Sequence, residues 1–195
     1  MQTASANQNA AGGLVLVGGL LAAVAAALDW IDFSEAGASD LTFKGTELGA
    51  GSLSVVLGVV LIILGIVLYA RGARTGGRGA SITAIVLGGF VLAAAGYTAI
   101  SPSDSLVTFE ASDVAEFNDV SESIAKAYME QGFADGSLTA DALIGPWVAA
   151  GGGLLALIGG ILGVGNARKV KEQQAAAGPA PSAAEPRATG APPEA

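Results

Sequence analysis

The 195-residue chain contains no cysteine and no histidine, and only 13% of its residues are charged. These absences exclude disulfides, metal or haem ligation by thiolate or imidazole, and catalysis that depends on either group. A soluble domain carries about 25% charged residues. The low charge therefore argues against a water-soluble globule, and the net charge of -8 disfavours a nucleic-acid partner. No cofactor or metal is expected.

The chain contains four apolar runs without a charged residue, at residues 11–28, 53–70, 79–100 and 142–164. At 1.5 Å per residue, even the shorter runs reach about 27 Å as helices, close to the roughly 30 Å hydrocarbon thickness of a bilayer. Helices buried in soluble proteins rarely keep more than about 14 apolar residues in a row. The runs predict an all-α membrane protein, an up-and-down bundle of four transmembrane helices.

The first run has a second interpretation as a signal peptide that ends near Ala25. Residues 1–10 hold no Lys or Arg, which the n-region of a signal peptide normally has, and the run is long for an h-region. These features favour a retained first span.

Basic residues close to the span ends predict the orientation, because Lys and Arg are retained on the cytoplasmic side. The connections at 29–52 and 101–141 each hold a single Lys, against five and nine acids. The bases cluster instead in the connection 71–78 and just after the fourth span: Arg71, Arg74, Arg78, Arg168, Lys169 and Lys171. We therefore expect both termini in the cytoplasm of a bacterium, an acidic outer side, and contacts of these bases with anionic lipids.

Aromatic and small residues indicate how the bundle sits and packs. Trp30 and Trp147 lie near the outer ends of spans one and four, where aromatic side chains anchor helices at the membrane interface. Glycines let helices in lipid approach closely. The candidate packing glycines are Gly58, Gly65, Gly88, Gly159 and Gly163.

The outer connections predict a small extracytoplasmic cap. Residues 40–45 and 105–110 have the β-branched and aromatic content of short strands and are candidates for pairing with each other. An amphipathic helix is expected from Ser112 to a stop at Gly132. Its apolar stripe is Val114, Phe117, Val120, Ile124 and Tyr128. This stripe either docks a partner or packs inside the cap.

Both ends of the chain are expected to lack a fold. Residues 1–10 are polar, and the tail 165–195 becomes rich in Ala, Pro, Ser and Gly from about residue 173. Such segments bury too little apolar surface to offset the entropy of ordering.

Four short motifs carry a resemblance. They are Asp29–Ile31, Thr42–Leu48 with the pattern Thr-x-x-Gly-Thr-Glu-Leu, Arg-Gly-Ala-Arg at 71–74, and Gly-Pro-Trp-Val-Ala-Ala-Gly-Gly-Gly at 145–153. In these motifs the chain resembles the actinobacterial four-span membrane proteins associated with the tryptophan operon. The resemblance implies the topology and carries no activity. The chain departs from that pattern in its long acidic second outer connection and in its tail.

Three classes of function remain at this point. The uncharged spans disfavour proton or ion coupling, and no nucleophile with a partner base is evident. We expect a non-enzymatic scaffold or accessory subunit that meets lipids and other envelope proteins through its acidic outer side. A small transporter for a neutral or cationic solute is the alternative, an enzyme comes third, and the oligomeric state is open.

Overall fold

A computed structural model describes residues 2–36, 41–71 and 78–176. The described chain is mostly helical, with one small sheet. Its helices are α1 (Gln2–Ala25), α2 (Gly49–Arg71), α3 (Arg78–Ile100), α4 (Pro102–Phe117), α5 (Glu122–Asp135) and α6 (Ile144–Ala176). Its strands are β1 (Asp29–Glu35), β2 (Leu41–Lys44) and β3 (Leu138–Ala142), and a 3₁₀ turn spans Gly45–Glu47.

Four long helices pack side by side. Helix α1 lies along both α2 and α6, α6 also lies along α3, and α2 and α3 meet over a smaller area. Apolar side chains fill the middle, where a buried cluster forms from Val15, Ala22, Leu61, Ala84, Val91 and Ala156. The interior of this bundle is therefore built from small and branched side chains in direct contact.

Three of these helices are long and apolar enough to cross a membrane: α2 over Gly49–Ala70, α3 over Arg78–Ile100, and α6 over Ile144–Lys169. The apolar part of α1, Asn9–Ala25, is shorter. The outer surface of the bundle suits lipid, since large apolar residues such as Val56, Ile63 and Phe90 are 61%, 56% and 61% exposed.

The remaining elements form a cap at one end of the bundle, comprising β1–β3, the 3₁₀ turn, α4 and α5. The sheet has the order β2-β1-β3 and both pairings are antiparallel. Phe33 on β1 lies opposite Leu41 on β2 and Ala140 on β3. The cap is thus richer than the single helix and two strands expected from the sequence.

The strand prediction is confirmed for Leu41–Lys44, but its expected partner was wrong. Residues 105–110 lie within α4, so they do not pair with β2. Helix α4 begins at Pro102, because a proline in the first turn together with the acid Asp104 favours a helix N-terminus. The strands that pair are β1 and its two neighbours.

The expected helix from Ser112 to Gly132 is also wrong. The chain leaves α4 after Phe117, and α5 starts at Glu122. At this break Asp119 adopts a left-handed conformation with φ of 52°. Gly132 is buried inside α5, and the helix is ended by Gly136, whose φ is 77°.

The terminal segments differ from expectation where they are described. Residues 2–10 form the first turns of α1, and α6 continues to Ala176. Helices α1 and α6 thus extend beyond the apolar runs, because each residue added to an existing helix contributes a backbone hydrogen bond. The expected disorder of 177–195 lies outside the described residues.

Candidate functional site

An apolar cleft of about 660 Å³ lies in the cap, between the sheet and the helices α4 and α5. We call it the cap cleft. Its apolar and aromatic lining consists of Phe33, Leu41, Phe43, Leu48, Leu106, Val114, Phe117, Tyr128, Met129 and Leu138. Its polar lining consists of Glu35, Glu47, Glu110, Asp113 and Asn118. A cleft of this size and composition is typical of binding sites for small molecules or for side chains of a partner.

The sheet wall of the cap cleft follows from strand alternation. Phe33 and Glu35 on β1, and Leu41 and Phe43 on β2, are each two residues apart and so share one face of the sheet. The Phe33 ring meets Phe43 edge to face, with ring centroids 6.3 Å apart, and meets Phe133 of α5 at 6.4 Å. These contacts hold the aromatic wall in position.

The opposite wall is one face of α4. Leu106, Glu110, Asp113 and Phe117 follow one another at steps of four, three and four residues, so they lie on the same side of the helix, with Val114 beside Asp113. The small residues Ser105, Ala111 and Ala115 of α4 do not line the cleft and are buried. The sequence thus places two carboxylates within an otherwise apolar stripe.

Glu110 is fixed at the base of this wall. Its Oε1 accepts a hydrogen bond of 2.7 Å from the backbone N–H of Gly49, the first residue of α2. Burial raises the pKa of the Glu110 carboxyl above its usual range, the bond from Gly49 offsets part of this, and the charge of Asp113 raises the pKa further. The carboxylate is therefore incompletely solvated and positioned by the start of a bundle helix.

The charge of the cap cleft has one sign. Four of the residues that line it are acids, and none of these lining residues is Lys or Arg. The wider cap is acidic as well, because residues 101–141 hold nine acids and one Lys. The arrangement suits recognition of an apolar group that carries positive charge.

No family model, no curated protein and no solved structure matches the chain. The resemblance to the tryptophan-operon-associated membrane proteins stays a prediction.

The position of Trp30 corrects the sequence analysis. Its side chain is fully buried and does not face the interface; its indole Nε1–H donates a 2.8 Å hydrogen bond to the carbonyl oxygen of Ala25. Gly45 and Gly145 lie directly against the ring, and the backbone oxygen of Trp30 accepts a 2.8 Å bond from the N–H of Leu143. Through these contacts Trp30 joins β1 to the cap-side ends of α1 and α6. Glycines at 45 and 145 leave the space that the ring occupies.

The residues predicted as a docking stripe do not lie on one helix. Val114 and Phe117 are on α4, Ile124 and Tyr128 are on α5, and Val120 is in the turn between them. Val114 is partly buried, whereas Phe117 is 90% exposed and Tyr128 is 63% exposed. Phe117 and Tyr128 nevertheless line the same cleft. Part of the predicted stripe is therefore brought together by the packing of two helices and not by the period of one helix.

The five packing glycines lie in contacts between helices. A Cβ atom on Gly58 would come 2.7 Å from the backbone N of Ala23, and one on Gly65 would come 2.5 Å from that of Leu16, both on α1. Gly88 of α3 lies against Gly153 of α6. On α6, Gly159 lies against Ala11 and Gly163 lies against Ser81.

The anchoring candidates other than Trp30 are exposed where their side chains are described. Trp147, near the cap, is 54% exposed. The exposed bases at the opposite end of the bundle are Arg78, Arg168 and Lys169, with Lys171 one turn further along α6. Arg71 ends α2, and Arg74 lies outside the described residues.

Sequence reasoning missed the cap cleft because its walls come from distant parts of the chain. The signal in α4 was present in the spacing of Leu106, Glu110, Val114 and Phe117. It was hidden by the interpretation of 105–110 as a strand, which breaks that period. The partner of Glu110, the N–H of Gly49, is 61 residues away and leaves no local mark.

Proposed function

We propose that the chain is a non-enzymatic scaffold or accessory subunit of a bacterial cytoplasmic membrane, which it crosses four times, and that its outer cap docks an envelope partner. The observation that carries the proposal is a set of three large apolar residues that line the cap cleft and are strongly exposed: Leu41, Phe117 and Tyr128, at 54%, 90% and 63%. Large apolar residues outside the lipid-facing bundle mark interaction surfaces.

The fourth crossing is proposed for α1. Gly12 lies against Tyr69 near one end of α2, and Gly19 lies against Gly58 further along, so α1 runs antiparallel to a helix that is long enough to span. Its outward residues Val17 and Leu20 are 46% and 49% exposed, as expected for a lipid-facing surface. The 17 residues of Asn9–Ala25 cover about 25 Å of depth.

The proposed orientation follows from the charges at the two ends of the bundle. The cap holds most of the acids, and the opposite end holds Arg78, Arg168, Lys169 and Lys171. Positive residues beside spans remain in the cytoplasm. The cap therefore faces outward in this proposal, with both termini inside.

Single-cysteine labelling tests the topology in a chain that has no cysteine of its own. Asn9→Cys, Glu116→Cys and Arg168→Cys each replace an exposed residue. In intact cells we expect a membrane-impermeant maleimide to label only Glu116→Cys, and all three after permeabilisation. Labelling of Asn9→Cys from outside would reject the crossing by α1. Labelling of Arg168→Cys from outside would show that the orientation is the reverse of the one proposed.

Site-specific photocrosslinking tests the docking role. A benzophenone amino acid at Phe117 is expected to give one constant adduct in native membranes, while the same group at exposed Gln131 of α5 gives none. Gln131 is a matched control because it lies on the cap but does not line the cleft. Only diffuse lipid adducts at Phe117 would contradict a docking role.

The transporter alternative has weaker support. The interior between the four helices holds the apolar cluster around Val15, Leu61 and Val91, and each of these three side chains is fully buried. Glycine contacts bring the helix backbones together on both sides of that cluster. A solute would have to displace this packing, whereas the scaffold role requires no path through the bundle.

A further inference from the structure

We propose that the cap cleft binds a small organic amine, with its apolar body between the phenylalanine walls and its ammonium group beside the carboxylates of Glu110 and Asp113. This binding activity stands apart from the scaffold role, because an amine can occupy the cleft with or without a docked protein.

The apolar part of the proposal rests on the walls. The cleft volume of about 660 Å³ lies within the roughly 300–1,000 Å³ typical of small-molecule sites. Phe33 and Phe43 form a rigid aromatic pair on one side, and Leu106 and Val114 face them from α4. An aromatic or branched alkyl body fits this surface, and the ring faces also attract a cation.

The charge of the ligand follows from the lining. Glu35, Glu47, Glu110 and Asp113 contribute four carboxylates, and no base among the lining residues balances them. An anionic ligand is repelled by this set, and a neutral one leaves the partly buried Glu110 without a counter-charge. A protonated amine supplies both the charge and N–H donors for carboxylate oxygens.

A metal ion is the less suitable cation. The described residues contain no group of three or more His, Cys, Asp or Glu side chains placed to hold one. The carboxylates are spread over β1, the 3₁₀ turn and α4, with Glu110 already bound to the N–H of Gly49. An ammonium group needs only one or two of them, and the apolar walls add affinity that a bare ion does not gain.

Titration calorimetry of the full chain in lipid nanodiscs tests the proposal. The probe is 2-(1-naphthyl)ethylamine, with 2-(1-naphthyl)ethanol and 1-naphthylacetate as neutral and anionic probes of similar shape, and empty nanodiscs correct for partition into lipid. We expect the amine to bind at least about tenfold more tightly than the alcohol, because a charge-assisted hydrogen bond contributes that much.

Two variants locate the binding. Glu110→Gln keeps an oxygen for the N–H of Gly49 but removes the charge, so the amine is expected to lose about tenfold in affinity while the alcohol is unaffected. Asp113→Asn, at an exposed position, gives a second reading if Glu110→Gln destabilises the cap. Glu116→Gln is the matched control, since it removes one charge from α4 outside the cleft.

Three results would overturn the proposal. Equal affinity for the amine and the alcohol would remove the role of charge, and equal loss in Glu110→Gln and Glu116→Gln would place the amine outside the cleft. Binding of a Lys-containing tripeptide with no binding of the amine would assign the cleft to a peptide. The photocrosslinking at Phe117 is a separate experiment, so a failure of amine binding would not decide whether the cap docks a partner.

Discussion

Gly145 lies directly against the indole ring of Trp30. A Cβ atom on Gly145 would overlap Cδ1 of the ring and would lie 2.5 Å from Nε1 and 2.9 Å from the oxygen of Asp29. The same ring donates its hydrogen bond to Ala25 and is fully buried. The start of α6 therefore depends on a glycine because it faces a tryptophan that has no space to move.

Gly145→Ala is expected to lower the free energy of unfolding by about 2 kcal/mol, because overpacking forces the indole to shift and strains its hydrogen bond. Gly151→Ala, on the same helix, is the control, since its Cβ meets nothing within 4 Å. Equilibrium unfolding in mixed detergent micelles, followed by tryptophan fluorescence, measures both. Equal effects of the two substitutions would show that the fit around Trp30 does not limit stability.

The contact between α3 and α6 gives a second prediction. A Cβ on Gly88 would lie 2.8 Å from the backbone N of Leu157 and 2.9 Å from the oxygen of Gly153, whereas Gly96 on α3 has open space. We expect Gly88→Ala to cost about 1–3 kcal/mol and Gly96→Ala to change stability by less than about 0.5 kcal/mol. The same unfolding assay compares them, and a tolerated Gly88→Ala would argue against close packing of these helices.

The turn between α4 and α5 gives a third prediction. The N–H of Val120 donates to the oxygen of Ala115 at 3.1 Å and that of Asp119 to Glu116 at 3.4 Å, which forms a Schellman motif with Asp119 at its left-handed position. Asp119→Gly is expected to stabilise the cap by about 0.5 kcal/mol, because glycine adopts this conformation without a steric cost.

The matched control for this prediction is Ser112→Gly, at an exposed position further inside α4 and away from the Schellman motif. There glycine is expected to cost about 0.5 kcal/mol, since it replaces a better helix former inside a regular helix. Hydrogen exchange of the α4 amides reports both changes. If both glycines destabilise α4, the left-handed conformation of Asp119 is not the limiting feature of this turn.

The stability of the cap should also depend on the ionisation of Glu110. Burial raises the pKa of this carboxyl above its ordinary value near 4.5, so the folded cap binds the proton more tightly than the unfolded chain does. Its stabilising contribution is then fully present below that ordinary value and is lost as the pH rises through the raised one.

Comparison of the wild type with Glu110→Gln isolates this effect, because Asp113, Glu47, Glu35 and Tyr128 around the cleft are unchanged. Relative to Glu110→Gln, the wild type should gain stability as the pH is lowered from about 7 to about 4.5. Thermal unfolding across that interval measures the difference. Parallel pH profiles would show that Glu110 is solvated in the folded cap.

The bundle was more predictable than the cap because its determinants are local. An uncharged run near residue 60 or residue 90 must satisfy its own backbone hydrogen bonds in lipid, and a helix does this within the segment. Glycines such as Gly58 and Gly88 then mark where two helices approach. The strand at Leu41–Lys44 was also predictable, because its signal is the β-branched and aromatic content of the segment itself.

The cap depends on distant pairings that the sequence does not display. Ser34 and Thr139 share a 2.7 Å hydrogen bond although 105 residues separate them. The anchoring interpretation of Trp30 failed because its burial requires Gly45 and Gly145, neither of which is a sequence neighbour. The cap cleft, formed where these segments meet, was beyond reach for the same reason.

The sheet order β2-β1-β3 has a consequence for biosynthesis. Strand β3 directly precedes α6, so β1 keeps one unpaired edge, and Trp30 lacks its contact with Gly145, until residue 145 has left the ribosome. The cap therefore closes only after α1, α2 and α3 have been synthesised, so its completion is coupled to the translation of these bundle helices.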